Sequence, residues 1–416
     1  MKHRSTSAYP LRPWRHSFVH VALAVVFAGL AAMLLLGGCG SSSGGGVANA
    51  PSSTASAPAP VDVATTWTKQ DPSSAASSAG FFGVSFVDAA HGWAVGFTAN
   101  DYESTAVILA TSDGGATWKA QQPSGGGKGV GLTSISFVDA EHGWAVGVQM
   151  RNGGDMTPVI LATSNGGATW TAQDAGAVDG EVELRSVSFV DAAHGWAVGY
   201  IFTGPAPVIL ATSDGGANWK AQDASGAGTH AELNSVAFTD ATHGWAVGYN
   251  DEGRTPLILA TSDGGATWKA QDASSAGPGA QLRSVAFVDA SNGWAVGTTQ
   301  GDAPAPVILA TRDGGATWRA QDAGGAGGSG MLSSVTFFDA VHGWAVGDTG
   351  TDGDGAPVIL ATNDGGVVWK AQDAGSADSS ASLLSVTSVD AAHGWLVGTT
   401  GEYSQIRTPV ILATAK

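Results

Sequence analysis

The stretch TSDGGATWKAQD, Thr261 to Asp272, returns almost unchanged several times along this chain. Each copy sets a carboxylate, two glycines and a tryptophan within a few residues, so it is either an active site repeated or a piece of scaffolding. A second phrase, GWAVG (GWLVG in its last copy), places Trp at 93, 144, 196, 245, 294, 344 and 395. A period near 50 residues, built from short alternating apolar runs between Gly-rich turns, indicates propeller blades rather than a helical solenoid.

The third copy shows the unit. LRSVSFVD (Leu184 to Asp191) reads as a first strand, AAH as a turn, GWAVG as a second strand, PVILAT (Pro207 to Thr212) as a third, SDGGAN as a tight turn and WKAQD as a fourth. The seventh copy stops at PVILATAK (Pro409 to Lys416), without its turn and fourth strand, while a lone ATTWTKQD (Ala64 to Asp71) precedes the first copy. The expected fold is therefore all-β: a seven-bladed β-propeller with four-stranded blades, its ring closed by an N-terminal strand that completes the last blade. Closure of this kind removes the exposed edge of an open array. Composition agrees, since only 13% of the 416 residues are charged while 61 are Gly and 15 are Trp, which suits short strands and tight turns.

Ahead of the repeats, Lys2, Arg4 and Arg12 precede the apolar run Phe18 to Leu36, a basic segment followed by an export-type hydrophobic segment. Leu36-Gly37-Gly38-Cys39 follows and resembles the lipobox of bacterial lipoproteins, with the only Cys of the chain at the lipidation position. The expected organisation is a lipoprotein signal peptide over 1–38, a disordered Gly/Ser/Ala/Pro tether over 39–60 and the propeller over 61–416; an uncleaved anchor is the alternative. Either places the propeller outside the cytoplasmic membrane, held to it as a lipoprotein through Cys39. Cleavage would leave 14 basic against 35 acidic residues, which argues against binding nucleic acid or an anionic lipid surface.

The consensus Ser/Thr-x-Asp-x-Gly-x-Thr-Trp holds Asp113, Asp214, Asp263, Asp313 and Asp364, with Asn165 in the remaining copy. In a hairpin the carboxylate accepts backbone N–H groups inside the turn, the glycines take positive φ and the Trp packs between blades. Asn keeps an acceptor without the charge, as a turn allows and a catalytic acid does not. The motif resembles the Asp-box, or BNR repeat, of bacterial sialidases, sortilin-type receptors and several glycoside hydrolases. Together with GWAVG and F-x-D-A-x-H-G, the pattern over about residues 62–416 is more similar to the photosystem II assembly and stability factor family. That resemblance implies a seven-bladed, non-catalytic propeller that holds partner membrane proteins during assembly through an arginine-rich face, with a photosynthetic setting.

The histidines repeat as well. His91, His142, His194, His243, His342 and His393 each precede the Gly of GW, with Asn292 in the other copy. Spread one per blade, they are too dispersed to hold one ion, so turn roles are expected and neither metal nor cofactor. Asp348, Asp352 and Asp354 share a Gly-rich loop but lack the register of a calcium hand.

Specific function then falls to residues outside the pattern. Tyr102, Tyr200, Tyr249 and Tyr403 are placed in connections between second and third strands, with Arg151, Arg254 and Arg407, while Arg185 and Arg283 sit just before inner strands near the channel mouth. Tyr and Arg are favoured at interface hot spots. The leading expectation is a monomeric, lipid-anchored scaffold binding a membrane or envelope protein through these residues. Alternatives are a carbohydrate-binding propeller, against which every Trp of the repeats counts as packing, and a sialidase-like hydrolase, which needs a carboxylate pair or a Tyr nucleophile with clamping Arg.

Overall fold

The computed structural model describes residues 63–414 except 73–75, 99–103, 125–126, 152–154, 177, 205, 229, 251–254, 302–303, 325–329, 351–354, 376 and 401–407. These form seven four-stranded antiparallel sheets. The inner strands are Ala79–Phe86, Val130–Phe137, Val182–Phe189, Ala231–Phe238, Ala280–Phe287, Met331–Phe337 and Ala381–Ser388, which number blades 1 to 7. In blade 3 the others follow in order as Gly195–Ile201, Ala206–Thr212 and Lys220–Ala221.

Blade 7 takes its outer strand from the other end of the chain. Trp67–Lys69 pairs antiparallel with Thr408–Thr414, Trp67 opposite Thr414 and Lys69 opposite Leu412. The permuted closure read from the sequence is thus the observed one.

Two ends of each blade can be told apart. The turn after the inner strand and the Asp-box hairpin meet at one end, as where Gly166 N–H donates to Glu141 O at 2.9 Å; this is the box end. Connections between second and third strands, and from blade to blade, leave at the opposite, loop end.

At the box end blades 1 to 6 are fastened each to the next by one repeated set of contacts. Phe189 of blade 3 lies face to face with Trp144 of blade 2, centroids 3.5 Å apart, and edge-on to its own Trp219 at 5.8 Å. The Trp144 indole N–H donates to Gly215 O, in the Asp-box turn of blade 3, at 3.0 Å. Gln173, from the outer strand of blade 2, donates to the same carbonyl and accepts the Trp219 N–H. Gly195 is obligatory here, because a Cβ on it would lie 2.2 Å from the Phe189 ring. The motif TSDGGATWKAQD is therefore scaffold.

Inside the box, Asp263 accepts Thr267 N–H at 2.9 Å, Thr261 Oγ1–H at 2.8 Å and Thr267 Oγ1–H at 2.6 Å. These bonds hold its carboxyl down at about 2, the Thr267 hydroxyl first. Asn165 makes the same turn by reversing one bond, its Nδ2 donating to Thr169 Oγ1 at 2.9 Å. The second Gly of the box has φ +88° at Gly265, and a Cβ there would meet Gln222 Oε1 at 2.0 Å. The histidines take the turn role expected of them: His194 Nδ1 lies 2.9 Å from Asp191 Oδ2, whose other oxygen accepts two backbone N–H groups.

The junction between blades 6 and 7 departs from this pattern. Ser388 stands where the other inner strands end in Phe, and Phe338 replaces the usual Val. Trp344 consequently packs edge-on to Trp67 at 6.1 Å and against Phe338. Its indole N–H is buried with no hydrogen-bond partner, because blade 7 has no Asp-box to present a glycine carbonyl.

Candidate functional site

Inner strands have one edge facing the channel with no strand to pair it, and buried N–H groups there need acceptors. Serines supply them. Ser134 Oγ accepts Val187 N–H of the next blade at 3.2 Å, and Ser186, Ser235, Ser284, Ser334 and Ser385 do the same for Val236, Val285, Val335, Val386 and Val84. Blade 1 has Gly83 at this position.

The residue before each of these positions is a β-bulge, where the ladder of inner and second strands skips one residue. Freed from pairing, the bulge residue varies from blade to blade, with only Arg occurring twice: Phe82, Thr133, Arg185, Asn234, Arg283, Ser333 and Leu384. These seven line a cavity of ≈ 170 Å³ to which all seven inner strands contribute, on the propeller axis. Two further positions vary with it, the one two residues earlier and its cross-strand partner just after GWAVG. In blade 3 these are Glu183 and Tyr200, in blade 4 Glu232 and Tyr249. The mouth of the channel is where each blade becomes individual.

Blades 3 and 4 fill their share with a polar network. Arg185 Nη1 lies 3.0 Å from Glu232 Oε2, its Nε 3.7 Å from Glu183 Oε1, and its guanidinium 4.3 Å above the Tyr200 ring. It also donates to Asn234 Oδ1, while the Tyr200 hydroxyl donates to Glu183 Oε2 at 3.0 Å. Burial opposes the charge of Arg185, but Glu183, Tyr200 and Glu232 outweigh it and keep the guanidinium protonated. Burial, followed by the neighbouring glutamates, pushes the Tyr200 and Tyr249 hydroxyls well above the usual phenol range, so both stay neutral donors. The opposite side, blades 7 and 1, is apolar: Leu384 and a stacked pair, Phe82 and Phe97, with centroids 4.8 Å apart.

This geometry revises the placement of several singled-out residues. Tyr200 and Tyr249 are on second strands, Gly195–Ile201 and Gly244–Asn250, and are 6% and 9% exposed, not loop residues. Arg185 and Arg283 are within their inner strands, at the bulge, and Arg283 Nη2 lies 3.6 Å from Met331 Sδ. Arg151 is exposed, its N–H donating to Asp155 O at 2.9 Å. Tyr102, Arg254, Tyr403, Arg407, Asp352, Asp354 and Cys39 lie outside the described residues. Asp348 is buried and accepts Gly350 N–H at 3.0 Å. Among the described residues no group of His, Cys, Asp and Glu could hold a metal ion, and no helix is long and apolar enough to cross a membrane. Glu183, Glu232 and Asn234, which complete the network, were not singled out in the sequence.

Repeated Asp-box hairpins and a ring closed by strand exchange define the class: an Asp-box seven-bladed propeller with a blade-specific mouth. The family model for the photosynthesis system II assembly factor YCF48 matches residues 129–227 and 223–322. Over those residues the chain is similar to this photosystem II assembly-factor-like family. The structure of YCF48 bound to a D1 peptide is similar at 18% identity and a TM-score of 0.57, over 85% of this chain and 99% of that one. YCF48 from Cyanidioschyzon merolae gives 20% identity and 0.57, over 84% and 98%. The xyloglucanase of family GH74 from Xanthomonas campestris gives 15% and 0.56, over 83% of this chain and 55% of that one. At such identities the likeness is one of fold. No curated protein matches the chain.

Proposed function

We propose that this protein is a non-catalytic scaffold that binds a membrane or envelope protein through its loop face, held to the outside of the membrane by a lipid on Cys39. One observation carries the reading: departures from the repeat gather at the loop end and the channel mouth, while the box end is spent on blade-to-blade contacts. A YCF48 structure with a D1 peptide bound supports a protein as the ligand class. The carboxylates at the mouth support a structural role for themselves, since Glu183 is engaged by Tyr200 and Arg185 and Glu232 by Arg185. A photosynthetic setting is part of the same proposal.

The test uses the soluble domain from Val61 onward as bait, crosslinked to the cell envelope of its source. A companion bait carries Met150→Ser, Arg151→Ala and Phe202→Ser, which change exposed loop-face residues and spare the buried tyrosines. Capture of one membrane-protein set by the parent and its loss in the companion is the expected result. Equal background on both would remove the protein-binding reading, and labelling of Cys39 by a fatty-acid analogue checks the anchor.

A further inference from the structure

We infer that the outer-strand slot of blade 7 is an exchangeable strand site, independent of the function proposed above. At rest it holds the chain's own Trp67–Lys69, and it takes the same segment of a second copy in its place.

In blades 1 to 6 the outer strand is joined to its third strand through the Asp-box hairpin, so neither can leave without the other. Blade 7 lacks that hairpin, and Trp67–Lys69 reaches Thr408–Thr414 from the far end of the sequence. The side-chain bonds that fasten this blade to its neighbours are incomplete as well. At six junctions an outer-strand Trp donates to the Gln of the preceding blade, at 2.9 to 3.3 Å. At the seventh, Gln70 Oε1 and Trp118 Nε1 are both buried without a partner. On the other side of blade 7, Trp344 Nε1 and, beside Phe338, His342 Nε2 are in the same state. Four of the seven buried side-chain polar atoms that lack a partner among the described residues thus flank the one blade closed from the N-terminus. Such groups cost stability where they stand, and local opening begins where the fastening is weakest.

The contacts that hold the strand are those of strand addition. Its backbone pairs with Thr408–Thr414, Thr68 opposite Ala413, and Gln70 N–H donates to Ile411 O at 2.9 Å. One side chain anchors it: Trp67, 2% exposed, shares a buried cluster with Trp344, Ile359 and Leu412, and its indole N–H donates to Gln372 Oε1 at 2.9 Å. Thr66, Thr68 and Lys69 are exposed. Main-chain bonds supply affinity in such a site and a side-chain pocket supplies specificity. Release of the strand would leave Thr408–Thr414 as an unpaired edge, which needs a partner. Every copy of the chain carries a segment that fits both the ladder and the Trp pocket. Residues 71–78 link that segment to Ala79, and a chain of this length spans up to about 28 Å when extended. A released strand can therefore reach a ring beside its own, as exchange of an identical element between copies requires.

Two differently tagged copies of the domain from Val61 onward, which lies within one compact unit of the chain, provide the test. One carries Thr68→Cys and the other Ala413→Cys, which are ladder partners; Cys39, the only Cys of the chain, lies outside this domain. Antiparallel partners stand within disulfide reach of each other. Prolonged mixing just below the melting temperature, under mild oxidation, is expected to yield a disulfide dimer that carries both tags. Excess peptide of residues 63–71 should cut that yield about tenfold, while the same peptide with Trp67→Ala should leave it unchanged. Should the Ala413→Cys copy fail to fold by circular dichroism, Lys69→Cys with Leu412→Cys, also ladder partners, serves as the pair. Absence of the mixed dimer, or a mixed dimer that the peptide does not reduce, would overturn the inference.

Discussion

The two ends of the same strands are held to different rules. At the box end, Phe189, Trp144 and Trp219 are joined through Gly215 and Gln173, and the set returns at every junction from blade 1 to blade 6 with nearly the same distances. At the loop end, bulge residues run from Phe82 through Arg185 to Leu384 with no chemistry common to the seven. One end therefore stabilises the ring redundantly, which leaves the other free to vary. Stability and recognition are separated along each strand rather than between domains.

That separation can be broken by substitutions at either end. The largest effect is expected at the box end: Trp245→Ala removes the stack on Phe287 and the bond to Gly314 O and should cost about 3–5 kcal/mol, read by urea unfolding, with loop-face binding unchanged in the fraction that folds. At the loop end, Arg185→Met leaves Glu183 and Glu232 without their cation and should cost about 1–3 kcal/mol. Adding Glu183→Gln and Glu232→Gln should recover most of that loss, which a melt of the triple variant checks. Recovery would show that the network serves specificity more than stability.

Smaller effects sharpen the comparison within the box end itself. Trp294→Phe loses a bond to Gly365 O and should cost about 1 kcal/mol more than Trp344→Phe, whose indole N–H has no partner; parallel denaturation curves measure the difference. Asp263→Asn should lower the melting temperature by less than Asp263→Ala, as Asn165 shows the turn accepts an amide. Acid provides the last test. Asp113 and Asp263 are lowered from 3.8 to about 2 in the folded chain by their threonine bonds. Their stabilisation is present above the unfolded value and is lost as pH falls from about 4 to 2, so the melting temperature should decline over that window, less steeply in Asp113→Asn.

Much of the fold was legible because a repeat multiplies its own signal. Seven GW phrases and one orphan strand at Trp67 specify blade number and closure, and Asn165 identifies the Asp-box as a turn. The mouth was legible only in part. Tyr200 follows GWAVG directly, and a strand end that runs on into a variable loop carries no boundary in its sequence, so the ring was assigned to the wrong side of it. Bulges leave no mark on the pattern either, and nothing in LRSV shows that Arg185 faces the axis while Leu184 is buried. Glu183 had a signal, an acid two residues before Arg185 in an inner strand, where charge is buried only when paired. Its partner Glu232, in the next blade, is what gives that signal meaning.

Closure by Trp67–Lys69 has a bearing on the order in which the molecule is made. Among the described strands, the first to be synthesised finds its ladder partner last, since Thr68 pairs with Ala413. A growing chain of six complete blades is an open arc, with Trp395 and its stack on Phe86 still absent. Contacts of such long sequence separation are slow to form, so the ring locks as a clasp does, in one late event. A chain cut short by its final strand would lose not one blade's edge but the circle.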